Sequence, residues 1–211
     1  MKRATNEEVI AKYKHVAQLP DWLFGFTFPL RRRAIAKLAL QPGDRVLDVG
    51  CGSGPNFSLL REAVGPSGEV VGFDLSPDMI QAAKSRIAQK GWDNVRAFQA
   101  SAEEVELNGE VDGLVMFAMH DVFTSEEGLS NVIRYLKPGG RIVAAGPVLI
   151  DNGPARFMNP MIQLLFHRFA ASTADMDQPW REMAKMIPNL KIKPYLMGAI
   201  FLAWGVKNSD K

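Results

Sequence analysis

The chain has 211 residues, of which 47% are hydrophobic and 23% charged, and its mean hydropathy is −0.06. This composition excludes a disordered chain and an integral membrane protein, and the length fits one domain. The formal charge of +2 implies no strong overall attraction to nucleic acid, and the single cysteine excludes an intramolecular disulfide and a cysteine-rich zinc site.

The first 40 residues are predicted to form a helical cap. Residues 5–18 carry apolar side chains at helical spacing, residues 20–29 are rich in proline and aromatic residues, and residues 30–40 form a second predicted helix. The charged N-terminus is not followed by an apolar run, so no secretory signal is expected. The expected compartment is the cytoplasm.

Residues 43–146 alternate between strand and helix patterns. Strands are predicted at residues 45–49, 69–73, 95–99, 111–117 and 141–145, with helices at 55–64, 77–89 and 125–136. Strands that alternate with helices at this spacing form right-handed βαβ units. The sequence therefore predicts an α/β fold with a doubly wound parallel sheet.

The last third of the chain has a different composition. Residues 147–187 are rich in Met and Phe and are predicted to form a helical insert, with helices after Pro160 and at residues 178–186. Residues 188–207 are predicted to form a closing β-hairpin. An antiparallel hairpin is a permitted edge for an otherwise parallel sheet.

A glycine-rich loop between the first strand and its helix is the strongest functional signal. Gly50, Gly52 and Gly54 let a ligand lie against bare main chain, and Asp74 ends the next strand, where a carboxylate can accept ribose hydroxyls. The third glycine comes two residues after the second, which is too early for a dinucleotide fingerprint. The spacing favours a nucleoside with a zwitterionic amino-acid tail, whose ammonium Asp48 can hold directly or through water.

Four segments together resemble class I S-adenosylmethionine-dependent methyltransferases of the small-molecule type. They are VLDVGCGSG (residues 46–54), GFDLSPDMI (72–80), VDGLVMFAMHDVF (111–123) and LKPGGRIVAAG (136–146). The resemblance is firm over residues 43–146. It implies a seven-stranded sheet in the order 3-2-1-4-5-7-6 with the last strand antiparallel, and the hairpin would supply strands 6 and 7.

The resemblance also implies S-adenosyl-L-methionine as the cofactor. The loop glycines would line its methionine and ribose portions, Asp74 would bind the ribose hydroxyls, and Leu75 and Met79 would lie near the adenine. The predicted donor site comprises Asp48, Gly50, Cys51, Gly52, Gly54, Asp74, Leu75, Met79, Ser101, Ala102, Glu103 and Phe117.

The adenine amine has two candidate partners. The family often places an acidic residue after the third strand, where this chain has Ser101, and Glu103 is the alternative. The single cysteine lies inside the glycine loop, so Cys51 is not read as a nucleophile.

His120 is the candidate general base, because it follows the fourth strand at the edge where ligands bind in such sheets. The alternative is a helix-starting histidine beside an N-capping Asp121. No metal is predicted. The cation-dependent O-methyltransferases carry Asp-Asn at the end of the fifth strand, where this chain has Ala145 and Gly146. Asp151-Asn152 follows too late and suits a turn.

The predicted acceptor is small and largely apolar, methylated on oxygen or nitrogen and possibly on carbon. Two segments rich in aromatic residues and Met, at residues 22–28 and 157–169, flank the core and suit an adaptable apolar pocket. Candidate acceptor-binding residues are Tyr13, Trp22, Phe26, His120, Phe157 and Met161.

Two alternatives stay open. One is a phospholipid N-methyltransferase, with residues 22–28 dipping into the membrane surface and Arg31 to Arg33 meeting head groups. The other is a non-catalytic S-adenosylmethionine-binding regulator or partner protein. Nucleic acid is disfavoured as a partner, since the basic run at residues 31–33 is more often a solvated helix face.

Overall fold

A seven-stranded sheet organises the part of the chain that the structure, a computed structural model, describes: residue 10 and residues 27–169 and 176–208. The strands are Arg45–Val49 (β1), Glu69–Asp74 (β2), Val95–Gln99 (β3), Val111–Phe117 (β4), Leu136–Pro147 (β5), Lys191–Tyr195 (β6) and Ile200–Val206 (β7). Their order in the sheet is β3-β2-β1-β4-β5-β7-β6. The predicted doubly wound sheet is therefore confirmed. Apart from residue 10, the first predicted helix at residues 5–18, which includes Tyr13, lies outside the described residues. Trp22 and Phe26, in the segment that follows it, lie outside them as well.

Strand direction places the terminal hairpin against the ligand edge of the sheet. Strands β1 to β5 pair in parallel, whereas β7 runs antiparallel to both β5 and β6. Because β7 is antiparallel, its first residue, Ile200, pairs with Pro147 at the end of β5. The turn between β6 and β7 thus lies at the carboxyl edge of the parallel strands.

Helices cover both faces of this sheet. They are Phe28–Ile35 (α1), Phe57–Val64 (α2), Pro77–Lys90 (α3), His120–Phe123 (α4), Glu126–Ile133 (α5), Asn159–Phe169 (α6) and Arg181–Met186 (α7). Ser76 caps α3 by accepting a hydrogen bond from the Met79 amide, and Ser125 caps α5 through the Gly128 amide. Left-handed Gly91 ends α3. In the described ranges, no helix combines the length and apolarity needed to cross a membrane.

Several predicted boundaries are wrong by a few residues. Helix α2 begins at Phe57 rather than Pro55, because the Gly54 amide bonds to the Cys51 carbonyl and the Phe57 amide to the Gly54 carbonyl, which makes residues 51–56 a pair of turns. Helix α1 ends at Ile35 and passes through a 3-10 turn to Ala39 with φ +45°.

The fifth strand is longer than predicted at the expense of the preceding helix. Helix α5 ends at Ile133, whereas the prediction ran to Leu136. Strand β5 already begins at Leu136, opposite Val111. Gly139 and Gly140, read as a turn, instead exchange backbone hydrogen bonds with Lys207 beyond β7. These long-range pairings extend the strand through a Pro-Gly-Gly segment.

Alternating residues of the central strands supply two cores, one on each face of the sheet. Leu114 and Met116 face one core with Leu47 of β1, and Val115 faces the other with Val46. Such alternation is the two-residue period of a strand covered on both sides. The central strands are thereby held rigidly, so the loops at their carboxyl ends are well positioned.

Leu114→Ala should lower the free energy of unfolding by about 2–5 kcal/mol, because it empties a fully buried position in β4. The matched control is Leu164→Ala on α6, where the side chain is 71% exposed. That control should change stability by less than about 0.5 kcal/mol. Urea unfolding of both variants measures the difference, and equal losses would contradict the placement of β4 at the centre of the core.

Candidate donor-binding site

The glycine loop turns sharply at the carboxyl edge of β1. Gly50, Gly52 and Gly54 have φ values of +61°, +54° and +79°, which L side chains rarely adopt. The Cys51 amide donates to the Phe73 carbonyl at 2.9 Å and ties the loop to β2. The three glycines predicted as the cradle therefore present main chain, not side chains, at this edge.

Asp74 links the glycine loop to the start of α3. Its Oδ2 accepts from the Gly52 amide at 2.9 Å and its Oδ1 from the Ser76 amide at 2.9 Å. Burial raises the pKa of Asp74, while these two amide donors act in the opposite direction. The carboxylate is thus fixed beside the loop, where the sequence analysis predicts the ribose of the donor.

Asp48 lies below the loop in a buried hydrogen-bonded network. The Asn56 Nδ2 donates to both oxygens of the fully buried Asp48 carboxylate, at 3.0 and 3.1 Å. The Asn56 Oδ1 in turn accepts from the Arg31 Nη1 at 2.7 Å. Burial raises the pKa of Asp48 to about 7, against the opposing effects of the Asn56 hydrogen bond and the Arg31 charge.

Arg31 and Asn56 are the site residues that sequence reasoning missed. The sequence alone predicts that Arg31 belongs to a solvated basic face, together with its two neighbours. In the structure Arg32 and Arg33 are exposed, whereas the Arg31 guanidinium turns inward and lies 4.8 Å from the centre of the Phe117 ring. The available signal was the helical period, which separates Arg31 from Arg33 on the helix surface.

Asp48→Asn should remove a pH-dependent loss of stability. The unfolded carboxyl titrates near 3.8 and the folded one near 7, so over that interval the folded state holds a proton that the unfolded state has released. The free energy of unfolding of the wild-type protein therefore falls as the pH rises through this interval. Asp48→Asn has no titrating group at this position, so it does not show this fall. The variant should gain on the order of 4 kcal/mol relative to wild type between about pH 4 and pH 8.

Chemical denaturation at the two pH values measures this gain. Asp93→Asn, at an exposed position in the loop before β3, is the control for the loss of a carboxylate as such. A constant difference for Asp48→Asn would contradict the raised pKa.

Cys51 is a packing residue of the loop. Its side chain is buried, and burial together with Asp48 and Asp74 raises the pKa of the thiol well above its ordinary value. A Cβ on Gly72 of β2 would approach the Cys51 Sγ to 2.9 Å and the Phe57 ring to 2.8 Å. The Cys51 side chain therefore packs onto bare backbone of β2.

The predicted adenine end is formed by residues 99–104 and the start of α3. The Ser101 hydroxyl donates to Glu104 at 3.1 Å and accepts from the Glu104 amide at 3.2 Å, while Glu103 accepts from the Ser125 hydroxyl at 2.9 Å. Ala102 is buried, and its carbonyl accepts from Asn131. Glu103 thus ties this loop to the N-terminus of α5, whereas Ser101 closes a turn within the loop. Leu75 is partly exposed here, and Met79 is buried.

The end of β4 closes over the glycine loop. Ala118 has φ +56°, and the side chain of Met119 contacts Gly50, at the point where a Cβ on that glycine would lie. His120 begins α4 at this edge, as predicted, and only 3% of it is exposed. Phe117 contributes the aromatic ring that the Arg31 guanidinium covers. His120 as a general base stays a prediction.

The acceptor-side candidates lie on the segment after β5. Phe157 is 80% exposed and Met161 50% exposed, so both offer apolar surface. Asn159 anchors the segment because its side chain exchanges hydrogen bonds of 2.9 and 3.0 Å with the Ile150 backbone. In residues 27–169 and 176–208, no three His, Cys, Asp or Glu side chains are grouped as metal ligands. Asp151 and Asn152 are exposed, in a bend before this segment.

Comparison with known proteins gives a matching family model and several relatives in sequence. A family model described as a methyltransferase domain matches residues 40–187. A ubiquinone/menaquinone biosynthesis C-methyltransferase of Ectopseudomonas mendocina is 32% identical over 78% of this chain, which spans 62% of that relative's length. A demethylmenaquinone methyltransferase of Geobacillus sp. (strain WCH70) is 26% identical over 92% of this chain and 93% of that protein.

The fold also matches solved structures. A SAM dependent methyltransferase from Aquifex aeolicus aligns with a TM-score of 0.59 at 18% identity, covering 84% of this chain and 89% of that one. At this level of identity the likeness bears on the fold alone. It agrees with the observed strand order.

Proposed function

The chain belongs to the methyltransferase domain family, and we propose that it transfers a methyl group from S-adenosylmethionine to a ring carbon of a small, apolar, quinol-type acceptor. Family membership confirms the methyltransferase class and the cofactor that the sequence analysis predicted. The acceptor class and the methylated atom belong to the proposal.

The observation that carries the proposal is the cradle around Asp74. An adenosine ribose needs a carboxylate held beside a bare main-chain turn at the carboxyl edge of the sheet. Asp74 is held in this way by the Gly52 and Ser76 amides. A Cβ on Gly52 would find only the Met79 sulfur, 3.9 Å away, so the space above this glycine is open to a ligand. The residues present therefore fit the donor.

The names of the relatives favour carbon as the methylated atom. The relative from Ectopseudomonas mendocina is named a C-methyltransferase of ubiquinone/menaquinone biosynthesis, and the one from Geobacillus is named for demethylmenaquinone. The sequence alone favours oxygen or nitrogen over carbon as the methylated atom. Exposed Phe157 and Met161 suit an acceptor with apolar surface. These relatives do not favour the phospholipid or the non-catalytic alternative.

The chain's own residues would align the reactants and move one proton. S-adenosylmethionine, when bound, supplies a methyl group on a cationic sulfur that becomes neutral on transfer. The glycine loop and Asp74 orient the donor, and Met119 and Phe117 exclude water beside it. His120 would accept a proton from the acceptor hydroxyl, and the electron-rich ring carbon would then form the new carbon–carbon bond as the sulfur–methyl bond breaks. The methylated ring carbon would lose its own proton to solvent, which restores the aromatic ring, and the oxygen would take back the proton held by His120.

Turnover on a matched panel of acceptors tests the proposal. The purified protein is incubated with S-adenosylmethionine and a naphthoquinol bearing an apolar chain, a catechol, or an ethanolamine phospholipid, and the products are identified by mass spectrometry. A C-methylated naphthoquinol is the expected product. A methylated amine would favour the phospholipid alternative, and donor binding without turnover on any acceptor would favour the non-catalytic one.

His120→Ala should lower kcat on the productive acceptor by about 10²–10⁴-fold while leaving donor affinity within about twofold, because it removes general-base catalysis alone. Added imidazole should restore part of the rate. The rate and the affinity are measured at several pH values, since loss of the base also removes the corresponding limb of the pH profile. A variant that keeps the wild-type rate would remove His120 from the mechanism.

A further inference from the structure

We propose that Arg31 is a positioning residue for the methyl donor: through Asn56 it holds the Asp48 carboxylate ready for the ammonium of the donor's amino-acid tail. The inference rests on the proposed function, because it concerns the same donor site. It assigns a binding role to a residue of α1, which precedes the first strand of the sheet.

The side chain of Arg31 is held on three sides. Its Nε donates to the Thr27 hydroxyl at 3.0 Å, its Nη1 donates to the Asn56 Oδ1 at 2.7 Å, and the guanidinium plane covers the Phe117 ring at 4.8 Å. An arginine with only a solvation role does not need three directional partners, two of which lie on other elements. The contact with Phe117 also places the cation at the end of β4, beside the predicted donor.

The chemistry of these groups fixes the orientation of the Asn56 amide. A guanidinium can only donate hydrogen bonds, so Asn56 must turn its oxygen toward Arg31. Its NH₂ group then faces Asp48 and donates to both carboxylate oxygens. Without Arg31 the amide is free to rotate by 180°, and its oxygen would then face Asp48. That arrangement is favourable only if the carboxyl group is protonated.

Charge makes this orientation consequential. The groups of the described chain that act on Asp48 are the Arg31 cation, the Asn56 amide, the like-charged Asp74 and the neighbouring Cys51 thiol. Burial and Asp74 favour the protonated form of Asp48, whereas Arg31 and Asn56 favour the ionised form. A donor ammonium is attracted by the ionised form alone. Loss of Arg31 therefore weakens the attraction that the amino-acid tail requires.

Two ligands that differ only beyond the thioether separate this role from a structural one. S-adenosylhomocysteine carries the amino-acid tail, and 5′-methylthioadenosine lacks it. In calorimetric titrations at about pH 7.5, Arg31→Met should weaken S-adenosylhomocysteine binding by about tenfold or more. Binding of 5′-methylthioadenosine should change by less than about twofold. The affinity for S-adenosylhomocysteine should also recover in the variant as the pH is raised.

Arg33→Met is the matched control, since Arg33 lies on the same helix and is exposed. It should leave both affinities unchanged. In an Asn56→Ala background, Arg31→Met should have almost no further effect on S-adenosylhomocysteine, because both residues act through the same hydrogen bonds.

The outcomes that would overturn the inference are distinct. Equal weakening of both ligands by Arg31→Met would show a merely structural role for the residue. Unchanged affinity for S-adenosylhomocysteine would show that the hydrogen bonds from Arg31 through Asn56 to Asp48 do not affect donor binding. Wild-type protein that binds neither ligand would overturn the proposed function itself, and the inference with it.

Discussion

Asp74→Ala should weaken S-adenosylhomocysteine binding by about 10²-fold or more. The change removes a carboxylate that accepts from the Gly52 and Ser76 amides and is the predicted partner of the ribose hydroxyls. Hydrogen bonds to a charged group contribute about 1.5–3 kcal/mol each, and the change removes several at once. Calorimetric titration of the purified variant measures the loss.

Three comparisons make this result specific. Asp78→Ala, in the exposed first turn of α3, should leave the affinity unchanged. Asp74→Asn should weaken binding less than alanine, because its one oxygen can still accept from one of the two amides. A thermal unfolding curve of the ligand-free variant separates lost binding from lost structure. If a folded Asp74→Ala protein bound S-adenosylhomocysteine with wild-type affinity, the assignment of the donor site would be wrong.

The central part of the fold could be predicted from sequence because its signals are local. The strands at residues 95–99 and 111–117 have the predicted bounds, since the first begins with alternating buried and exposed side chains and the second is largely buried and apolar. The strand order came from the family resemblance. Local signals failed in β5, where Gly139 and Gly140 gain backbone partners at Lys207. Lys207 is far from these glycines in sequence, so a hydrophobic pattern taken over about eleven residues does not detect the pairing.

The residues of the candidate site also differ in whether a local sequence pattern could predict them. The glycine loop and Asp74 were predictable because glycines at a strand–helix turn and an acid at the next strand end form a local pattern. The inward turn of Arg31 was not, because three consecutive arginines at residues 31–33 differ only in what the fold brings beside them. Asn56 and Phe117, both distant in sequence, select the first of the three.

Gly50→Ala should destabilise the protein more than Gly52→Ala, although both glycines have similar positive φ values. An alanine in the left-handed region costs about 1–2 kcal/mol, and both variants carry that cost. Only at Gly50 does the added Cβ also collide with the side chain of Met119, whereas at Gly52 its nearest neighbour, the Met79 sulfur, is 3.9 Å away. Thermal unfolding of the two ligand-free variants should therefore give the lower midpoint for Gly50→Ala.

Removal of the Met119 side chain isolates the steric part of this effect. In a Met119→Ala background, Gly50→Ala should destabilise the protein no more than Gly52→Ala does, because the colliding sulfur and methyl groups are gone. Donor binding should behave differently, since a methyl group at Gly52 projects into the open space of the predicted cradle and one at Gly50 displaces Met119 beside it. Each single variant should lose at least about tenfold in affinity for S-adenosylhomocysteine, and Met119→Ala should not restore it. If Met119→Ala restored both stability and affinity, Met119 rather than the bare glycine would control access to the donor site.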